Sequence, residues 1–127
     1  MKRTAFLFTL FFAFALAANA QGLSVGATME NFSLPDTSGK IQTLSDLKGT
    51  NGAVVVFVSA QCPVVKSYNE RINQIAADYA ARGINFIGIN SNATESLDWV
   101  KSDAAEVGYK FPLLIDSGNV LADKLGA

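Results

Sequence analysis

Histidine is absent from this 127-residue sequence, and cysteine occurs once, as Cys62. Without histidine, Ser-His-Asp and Cys-His catalytic groups cannot form, nor can the usual histidine-containing zinc and copper sites. A single cysteine likewise excludes an internal disulfide, a Cys-x-x-Cys redox pair and an all-cysteine metal site. The glycine-rich patterns that cradle nucleotide phosphates, GxGxxG and GxxxxGK[ST], are also missing. We therefore expect no metal and no organic cofactor, and the chemical group left to explain is one thiol.

Apolar residues are concentrated at the start of the chain, where five of the nine phenylalanines fall within residues 1–20. A basic start at Lys2 and Arg3 precedes an apolar run that ends on Ala-Asn-Ala at residues 18–20, the arrangement of a secretory signal peptide. A membrane anchor is the alternative, but it would need about 20 apolar residues. We therefore predict a signal peptide at residues 1–20, one domain at residues 21–127, and a periplasmic or secreted location.

The charge balance limits the partners of the exported part. The 10 basic side chains include Lys2 and Arg3, so removal of residues 1–20 would leave 8 of them beside all 11 acidic side chains. A weakly acidic chain does not suggest nucleic acid or an anionic lipid surface as a partner. We therefore predict that the domain binds no nucleic acid and, after signal cleavage, no membrane.

The remaining sequence alternates between strand-type and helix-type patterns. A hairpin is expected from residues 31–34 and 40–44, and Ser45 is suited to cap a short helical turn after it. Farther on, continuous apolar runs predict buried parallel strands, and apolar residues spaced three and four apart predict amphipathic helices. The predicted strands are 53–58, 84–89 and 111–115, and the predicted helices start at Pro63, follow a cap at Thr94, and span 119–125.

Strands that alternate with helices imply right-handed crossovers and a parallel sheet covered on both faces. The fold class is therefore α/β, a three-layer sandwich with a central, mainly parallel sheet. The run of residues 53–58 is the most apolar, so we predict that this strand lies at the centre of the sheet.

Cys62 lies between the first predicted core strand and the helix that starts at Pro63. Open α/β sheets place their sites at the carboxyl ends of parallel strands, where this cysteine falls. Proline suits the first helical position because an N–H group there would have no partner, which makes Cys62 the N-cap residue. The free N–H groups and the positive end of the helix dipole favour the nucleophilic thiolate. We therefore predict Cys62 as a catalytic nucleophile supported by Pro63; a buried, inert cysteine is the alternative.

Two further side chains are candidates to support the thiolate. Lys66, four residues after Cys62, can place a cation near the sulfur, and Ser59, three residues before it, can donate a hydroxyl hydrogen bond. The structural alternatives are a solvated surface lysine and a simple turn serine. We expect only solvated charges on a helix surface from Asp98, Asp103 and Glu106.

The order of several segments resembles the thioredoxin-like AhpC/TSA superfamily of redoxins and peroxiredoxins. The likeness covers about residues 26–127, and the Cys-Pro-x-x-Lys form resembles a redoxin subgroup common among exported bacterial proteins. The segments that carry it are 31–40 (NFSLPDTSGK), 44–49 (LSDLKG), the valine strand that leads to Cys62-Pro63, 111–116 (FPLLID) and 121–127 (LADKLGA).

The resemblance implies a thioredoxin fold with Cys62 in the position of the attacking thiol. In the thiol-disulfide branch Pro-x-Cys follows that thiol, and here Val65 occupies the place of the second cysteine. In the peroxide-reducing branch Pro and then Thr or Ser precede the cysteine by seven and three positions, and here these places hold Val55 and Ser59. No arginine follows Arg82, so the arginine that polarises peroxide in that branch has no counterpart.

Family members continue after a Leu-Gly-Ala segment into a Thr-Pro peptide, further strands and a last helix. None of these follows residues 125–127 in this sequence. The resemblance therefore implies an incomplete thioredoxin-like domain at residues 21–127, lacking the C-terminal strands and helix.

Three functions remain open for such a domain. The leading hypothesis is antioxidant peroxide reduction, in which Cys62 becomes a sulfenic acid that an external thiol recycles. The second is thiol-disulfide exchange, in which Cys62 forms a mixed disulfide with a partner protein. The third is a non-catalytic thioredoxin-like binding module. The expected partners are thus a peroxide or disulfide substrate and an external thiol reductant.

Overall fold

The structure is a computed structural model that describes residues 22–127. The predicted signal peptide at residues 1–20 lies outside the described residues. Strands and helices alternate from residue 52 onward, after a short antiparallel hairpin. In chain order the elements are β1 (Ser33–Pro35), β2 (Ile41–Thr43), α1 (Leu44–Leu47), β3 (Gly52–Phe57), α2 (Pro63–Ala80), β4 (Ile84–Asn90), α3 (Leu97–Val107), β5 (Leu113–Ile115) and α4 (Val120–Leu125).

The three core strands form one parallel sheet in the order β3-β4-β5. β3 pairs with β4 along its whole length, from Gly52 opposite Ile84 to Phe57 opposite Ile89. β5 pairs with the carboxyl-terminal half of β4, from Gly88 opposite Leu113 onward. The α/β class and its parallel sheet are therefore confirmed, and the predicted strands agree with the observed ones to within about two residues.

The prediction that the first core strand lies at the centre of the sheet is wrong for the described part of the chain. β4 is the central strand there, and β3 forms an edge. All six residues of β3 are only partly buried, whereas Ile87 and Ile89 of β4 are fully buried. The valine run fits a strand with neighbours on both sides, but within residues 22–127 only one neighbour pairs with it.

Both faces of the sheet are covered, as the three-layer prediction requires. On one face, α3 packs Val100 against Val58 and Leu113, and α2 packs Ala76 against Phe86 and Phe111. Side chains of adjacent strand residues point to opposite faces, so the buried Ile87, Ile89 and Leu114 belong to the other face. The helices α2 and α3 therefore pack on the same face of the sheet, against two clusters that share the partly buried Val56 and Tyr109.

Two helix caps differ from the prediction. Thr43, not Ser45, caps α1, because its side-chain oxygen accepts the N–H of Asp46. Ser96, not Thr94, caps α3, and its hydroxyl accepts the N–H of Trp99. The Thr94 hydroxyl instead donates to the side-chain oxygen of Asn92 at 2.8 Å. The end of α3 is as predicted, because Gly108 ends this helix in the left-handed conformation at φ 61°.

A buried carboxylate fixes the start of α4. Asp116 is 1% exposed and follows β5 directly. Its oxygens accept the backbone N–H groups of Leu121 and Ala122 at 2.9–3.1 Å and the Ser91 hydroxyl at 3.0 Å. Two of the free N–H groups at the helix start are thereby satisfied. Among residues 22–127, no helix has the length and apolar character needed to cross a membrane.

Candidate functional site

Cys62 occupies the N-cap position of the 18-residue helix α2, and Pro63 is its first helical residue. The chain reaches this point by a sharp turn after β3, where the N–H of Cys62 donates to the carbonyl of Ser59 at 3.3 Å. The Cys62 side chain makes no capping hydrogen bond and is partly exposed. A thiol at an N-cap lies next to the free N–H groups of the helix, and Cys62 can be reached from solvent. These are the conditions under which a cysteine acts as a nucleophile.

A carboxylate that the sequence did not point to organises the turn before Cys62. Glu95 lies in the loop between β4 and α3, and both of its carboxylate oxygens accept hydrogen bonds from that turn. The Ser59 hydroxyl and the Gln61 N–H donate to Oε1 at 2.5 and 2.8 Å, and the Ala60 N–H donates to Oε2 at 3.0 Å. Ser59 thus donates its single hydroxyl hydrogen to Glu95 and not to the Cys62 sulfur.

The other side of the same carboxylate is held by its own loop. Asn90 donates to Oε2 at 2.6 Å, and Asn92 donates to Oε1 at 3.1 Å. Asn90 is itself buried and also donates to the carbonyl of Val58 at 3.2 Å. Glu95 therefore connects the carboxyl ends of two neighbouring parallel strands at the sheet edge where Cys62 lies.

The structure places Lys66 in an ion pair. Its ammonium group lies 3.6 Å from Asp103 Oδ1, across the junction of α2 and α3. Asp103 is only 7% exposed, so the expectation that it is a solvated surface charge is wrong. It lies three residues after the buried Val100, on the inner face of α3, and the partly exposed Lys66 supplies its charge partner. The positive charge one turn after Cys62 is therefore shared with a carboxylate.

A polar cleft of about 700 Å³ opens between α2 and α3 beside this ion pair. Asn69 lines this cleft, and its Oδ1 accepts the hydroxyl of Tyr109 at 3.3 Å. Burial raises the pKa of Tyr109 to about 12, and the charges of Asp103 and Glu95 contribute to the rise. Tyr109 is therefore a neutral hydrogen-bond donor at physiological pH.

Within residues 22–127, no three His, Cys, Asp or Glu side chains are grouped as a metal ion would require.

Comparison with known proteins identifies the family. The AhpC/TSA family matches this chain over residues 25–127, which is most of its length. The chain belongs to the AhpC/TSA family. The resemblance drawn from the sequence is thus confirmed, and one similar protein is named as an oxidoreductase.

Three similar proteins indicate which AhpC/TSA members this chain is close to. The thiol-disulfide oxidoreductase ResA of Bacillus thuringiensis is 29% identical over 119 residues, which cover 94% of this chain and 66% of ResA. The putative peroxiredoxin Rv2521 of Mycobacterium tuberculosis is 29% identical over 105 residues, covering 83% of this chain and 65% of that protein. A crystal structure of a putative thiol:disulfide interchange protein DsbE from Chlorobium tepidum superposes with a TM-score of 0.65 at 25% identity, covering 75% of this chain and 64% of that one. The chain therefore spans somewhat less than two thirds of the length of these relatives.

Glu95 is the site residue that sequence reasoning missed, although a signal for it was present. The carboxyl ends of parallel strands meet at one edge of a sheet, so the loop after β4 must lie beside the loop after β3. That loop is strongly polar, and Glu95 is its only acidic residue. An acidic side chain next to a turn with unpaired backbone N–H groups is suited to accept them.

Glu95 should make the protein less stable in acid. Burial raises the pKa of Glu95, but the hydrogen bonds it accepts outweigh that effect and hold this pKa below its ordinary value of 4.5. Because the folded-state pKa is the lower one, the stabilisation is complete above about pH 4.5 and is lost as the pH falls through the folded-state pKa. At pH values under 4.5, we expect the free energy of unfolding, measured in urea, to decrease more steeply with falling pH for the wild type than for Glu95→Gln. Parallel curves for the two proteins between pH 3 and pH 6 would contradict this, since other carboxylates contribute equally to both.

Proposed function

We propose that this chain carries the attacking thiol of a thiol-disulfide oxidoreductase that acts on a disulfide in a partner protein. The observation that carries the proposal is the position of Cys62, partly exposed at the N-cap of an 18-residue helix. The similarity to ResA and to a DsbE structure supports disulfide exchange as the reaction. The proposed substrate is a protein disulfide, and the proposed reductant is an external thiol.

The proposed reaction has two stages. The Cys62 thiolate attacks one sulfur of the partner disulfide, so that the partner S–S bond breaks and a Cys62–partner bond forms. The second partner sulfur leaves as a thiolate and takes up a proton. One external thiolate then attacks Cys62 Sγ and releases the partner as a dithiol, and a second external thiol frees Cys62 as the external disulfide forms. External thiols are required because Val65 stands where a resolving cysteine would be.

The residues around Cys62 are proposed to support this thiolate in different ways. Pro63 starts α2 at a position where an N–H group would have no partner, and so places Cys62 at the N-cap, beside the positive end of the helix dipole. Lys66 supplies a cation one turn later, although the nearby Asp103 reduces its effect. Ser59 acts through Glu95, to which it donates its hydroxyl hydrogen.

Peroxide reduction is the second candidate, favoured by the similarity to the putative peroxiredoxin Rv2521. In this reaction Cys62 would be oxidised to a sulfenic acid, and peroxide would be reduced to water. Peroxide reduction is the weaker candidate because the Ser59 hydroxyl, the surviving part of the peroxidatic pattern, donates to Glu95. Disulfide chemistry is also named for ResA and for the DsbE structure.

Mixed-disulfide formation tests the two candidates against each other. The reduced protein is incubated either with oxidised glutathione or with hydrogen peroxide plus dimedone, quenched in acid and weighed intact. We expect one glutathione adduct that dithiothreitol removes, little dimedone adduct on the same timescale, and no adduct of either kind on Cys62→Ser. A fast dimedone adduct without a glutathione adduct would overturn disulfide exchange in favour of peroxide reduction. As a folding control, the wild type and Cys62→Ser should unfold at the same temperature.

We also propose that the domain is exported, because residues 1–20 have the sequence pattern of a signal peptide. An exported thiol would meet disulfides in an oxidising compartment, where they persist. We expect protein purified from outside the cytoplasm to begin at Gln21 by intact mass. Recovery of the uncleaved chain in the cytoplasm alone would contradict export.

A further inference from the structure

We propose that Glu95 is a positioning residue for Cys62, an inference that rests on the proposed function of that thiol. Glu95 does not touch the reacting sulfur in this structure. It acts on the turn at residues 59–61, which connects β3 to α2 and so decides where α2 begins.

The turn needs an acceptor from outside itself. After β3 the N–H of Val58 still pairs with the carbonyl of Ile89, and the N–H of Cys62 pairs with Ser59. Of the three N–H groups in between, those of Ala60 and Gln61 donate to Glu95. Ala60 is 3% exposed, so an unpaired N–H group there would be costly. The conformation of the turn therefore depends on an acceptor at the position of Glu95.

A carboxylate is the group that fits this position. Five hydrogen bonds converge on its two oxygens, three on Oε1 and two on Oε2, and all five partners are donors. A carboxylate can accept at both oxygens, whereas an amide of the same shape has one oxygen and directs two N–H donors at the rest. Glu95→Gln would thus place donors against donors and release part of the turn.

Release of the turn changes the setting of Cys62. Cys62 follows Gln61 directly and is the N-cap residue of α2, where the free N–H groups of the first helical turn favour a thiolate. If the turn is no longer held from the β4–α3 loop, the start of α2 is free to fray and the thiolate loses those donors. The expected consequence is a less reactive thiol in a protein that is still folded.

The test compares Glu95→Gln with Glu106→Gln, which removes an exposed carboxylate from α3 and causes the same change of charge. The first measurement is the rate of Cys62 alkylation by iodoacetamide at pH 7, in buffer and in urea. We expect Glu95→Gln to react about tenfold more slowly than the wild type in buffer and equally fast in urea. Glu106→Gln should match the wild type in both. Wild-type reactivity in folded Glu95→Gln would overturn the proposal.

The second measurement is decided by the wild type, with the two variants as controls. In the wild type, the amide NMR signals of Ala60, Gln61 and Cys62 should titrate together in acid with the carboxyl group of Glu95. Glu106→Gln should keep this titration, and Glu95→Gln should lose it. Signals of Ala60 and Gln61 that do not respond to acid would overturn the proposal, because the hydrogen bonds would then not exist in solution.

The outcome is separable from that of the proposed function. Alkylation and amide titration report on the thiol and its turn without any disulfide substrate. If the wild type forms no mixed disulfide with oxidised glutathione, disulfide exchange fails, while these two measurements still decide the role of Glu95.

Discussion

Val65→Cys should allow the protein to resolve the mixed disulfide between Cys62 and its partner without an external thiol. Residue 65 lies three positions after Cys62, and side chains three apart on a helix lie on the same face. Val65 packs partly buried against the cluster of Val58, Val100 and Leu113, where a cysteine of similar size and polarity can replace it. A thiol introduced there would lie directly behind the mixed disulfide that Cys62 forms.

The expected result is internal resolution of that mixed disulfide. The new thiol attacks Cys62 Sγ, the partner leaves as a thiol, and a disulfide forms between residues 62 and 65. Because the reaction is intramolecular, we expect partner release about 100-fold faster than in the wild type at millimolar external thiol. In a time course of acid-quenched intact masses, the glutathione adduct should persist in the wild type and be replaced in Val65→Cys by an oxidised monomer.

Val64→Cys is the matched control for this prediction. It adds a second cysteine one residue earlier, at an exposed position. Residues 62 and 64 are two apart, so their side chains do not lie on the same face of the helix. We expect its mixed disulfide to persist as in the wild type. Equal partner release from Val64→Cys and Val65→Cys would show that the first turn of α2 does not hold residue 62 and residue 65 on one face.

The sequence was sufficient for those parts of the fold that depend on local pattern. Continuous apolar runs identified the three parallel strands, and Cys62-Pro63 identified the start of α2, because both signals lie within a few neighbouring residues. The position of β3 in the sheet was not predictable in this way. A valine run shows that a strand is apolar, but the number of strands that pair with it depends on distant segments.

The site shows the same division. The place of Cys62 followed from the order strand, cysteine, proline and helix, whereas the contacts of Ser59 and Lys66 did not. Ser59 donates to a residue 36 positions later, and Lys66 pairs with one 37 positions later, so both partners depend on how β4 and α3 pack. Asp103 was nevertheless open to prediction, since it falls three residues after Val100 on the apolar face of α3.

Competition between neighbouring hydroxyl groups explains the incorrect helix caps. Thr94 and Ser96 are equally suited by residue type to cap α3. Thr94 is withdrawn by a tight local turn, because both its N–H and its hydroxyl donate to the side-chain oxygen of Asn92. Only Ser96 then remains to accept the N–H of Trp99. Such a choice depends on the geometry of the preceding loop, which residue preferences do not contain.

Gly49→Ala is expected to destabilise the domain more than any other glycine substitution in the turns. At Gly49 the backbone lies so close to the turn between α2 and β4 that an added Cβ would be 2.1 Å from the carbonyl oxygen of Gly83. That carbonyl also accepts the N–H of Asn51 at 2.8 Å, and the Asn51 side chain donates to the carbonyl of Arg82 at 2.8 Å. The two turns therefore fix the starts of β3 and β4 against each other.

Neither side of this contact can give way cheaply, because both are backbone. An added methyl group must separate the turns, which breaks the hydrogen bonds of Asn51 and disturbs the register of Gly52 opposite Ile84. We expect Gly49→Ala to lower the free energy of unfolding by about 3 kcal/mol, toward the upper end of overpacking effects. Urea titration followed by far-UV circular dichroism measures the change.

Gly39→Ala separates this steric effect from the general cost of replacing a glycine. Gly39 lies in the hairpin turn at φ 89°, and nothing lies within 4 Å of its added Cβ. Its substitution should therefore cost only the backbone strain of a left-handed residue, about 1 kcal/mol. Equal losses for the two variants would show that the close approach of Gly49 and Gly83 is not maintained in solution. Cys62 lies at the opposite end of β3, so the folded fraction of Gly49→Ala should keep the wild-type rate of alkylation.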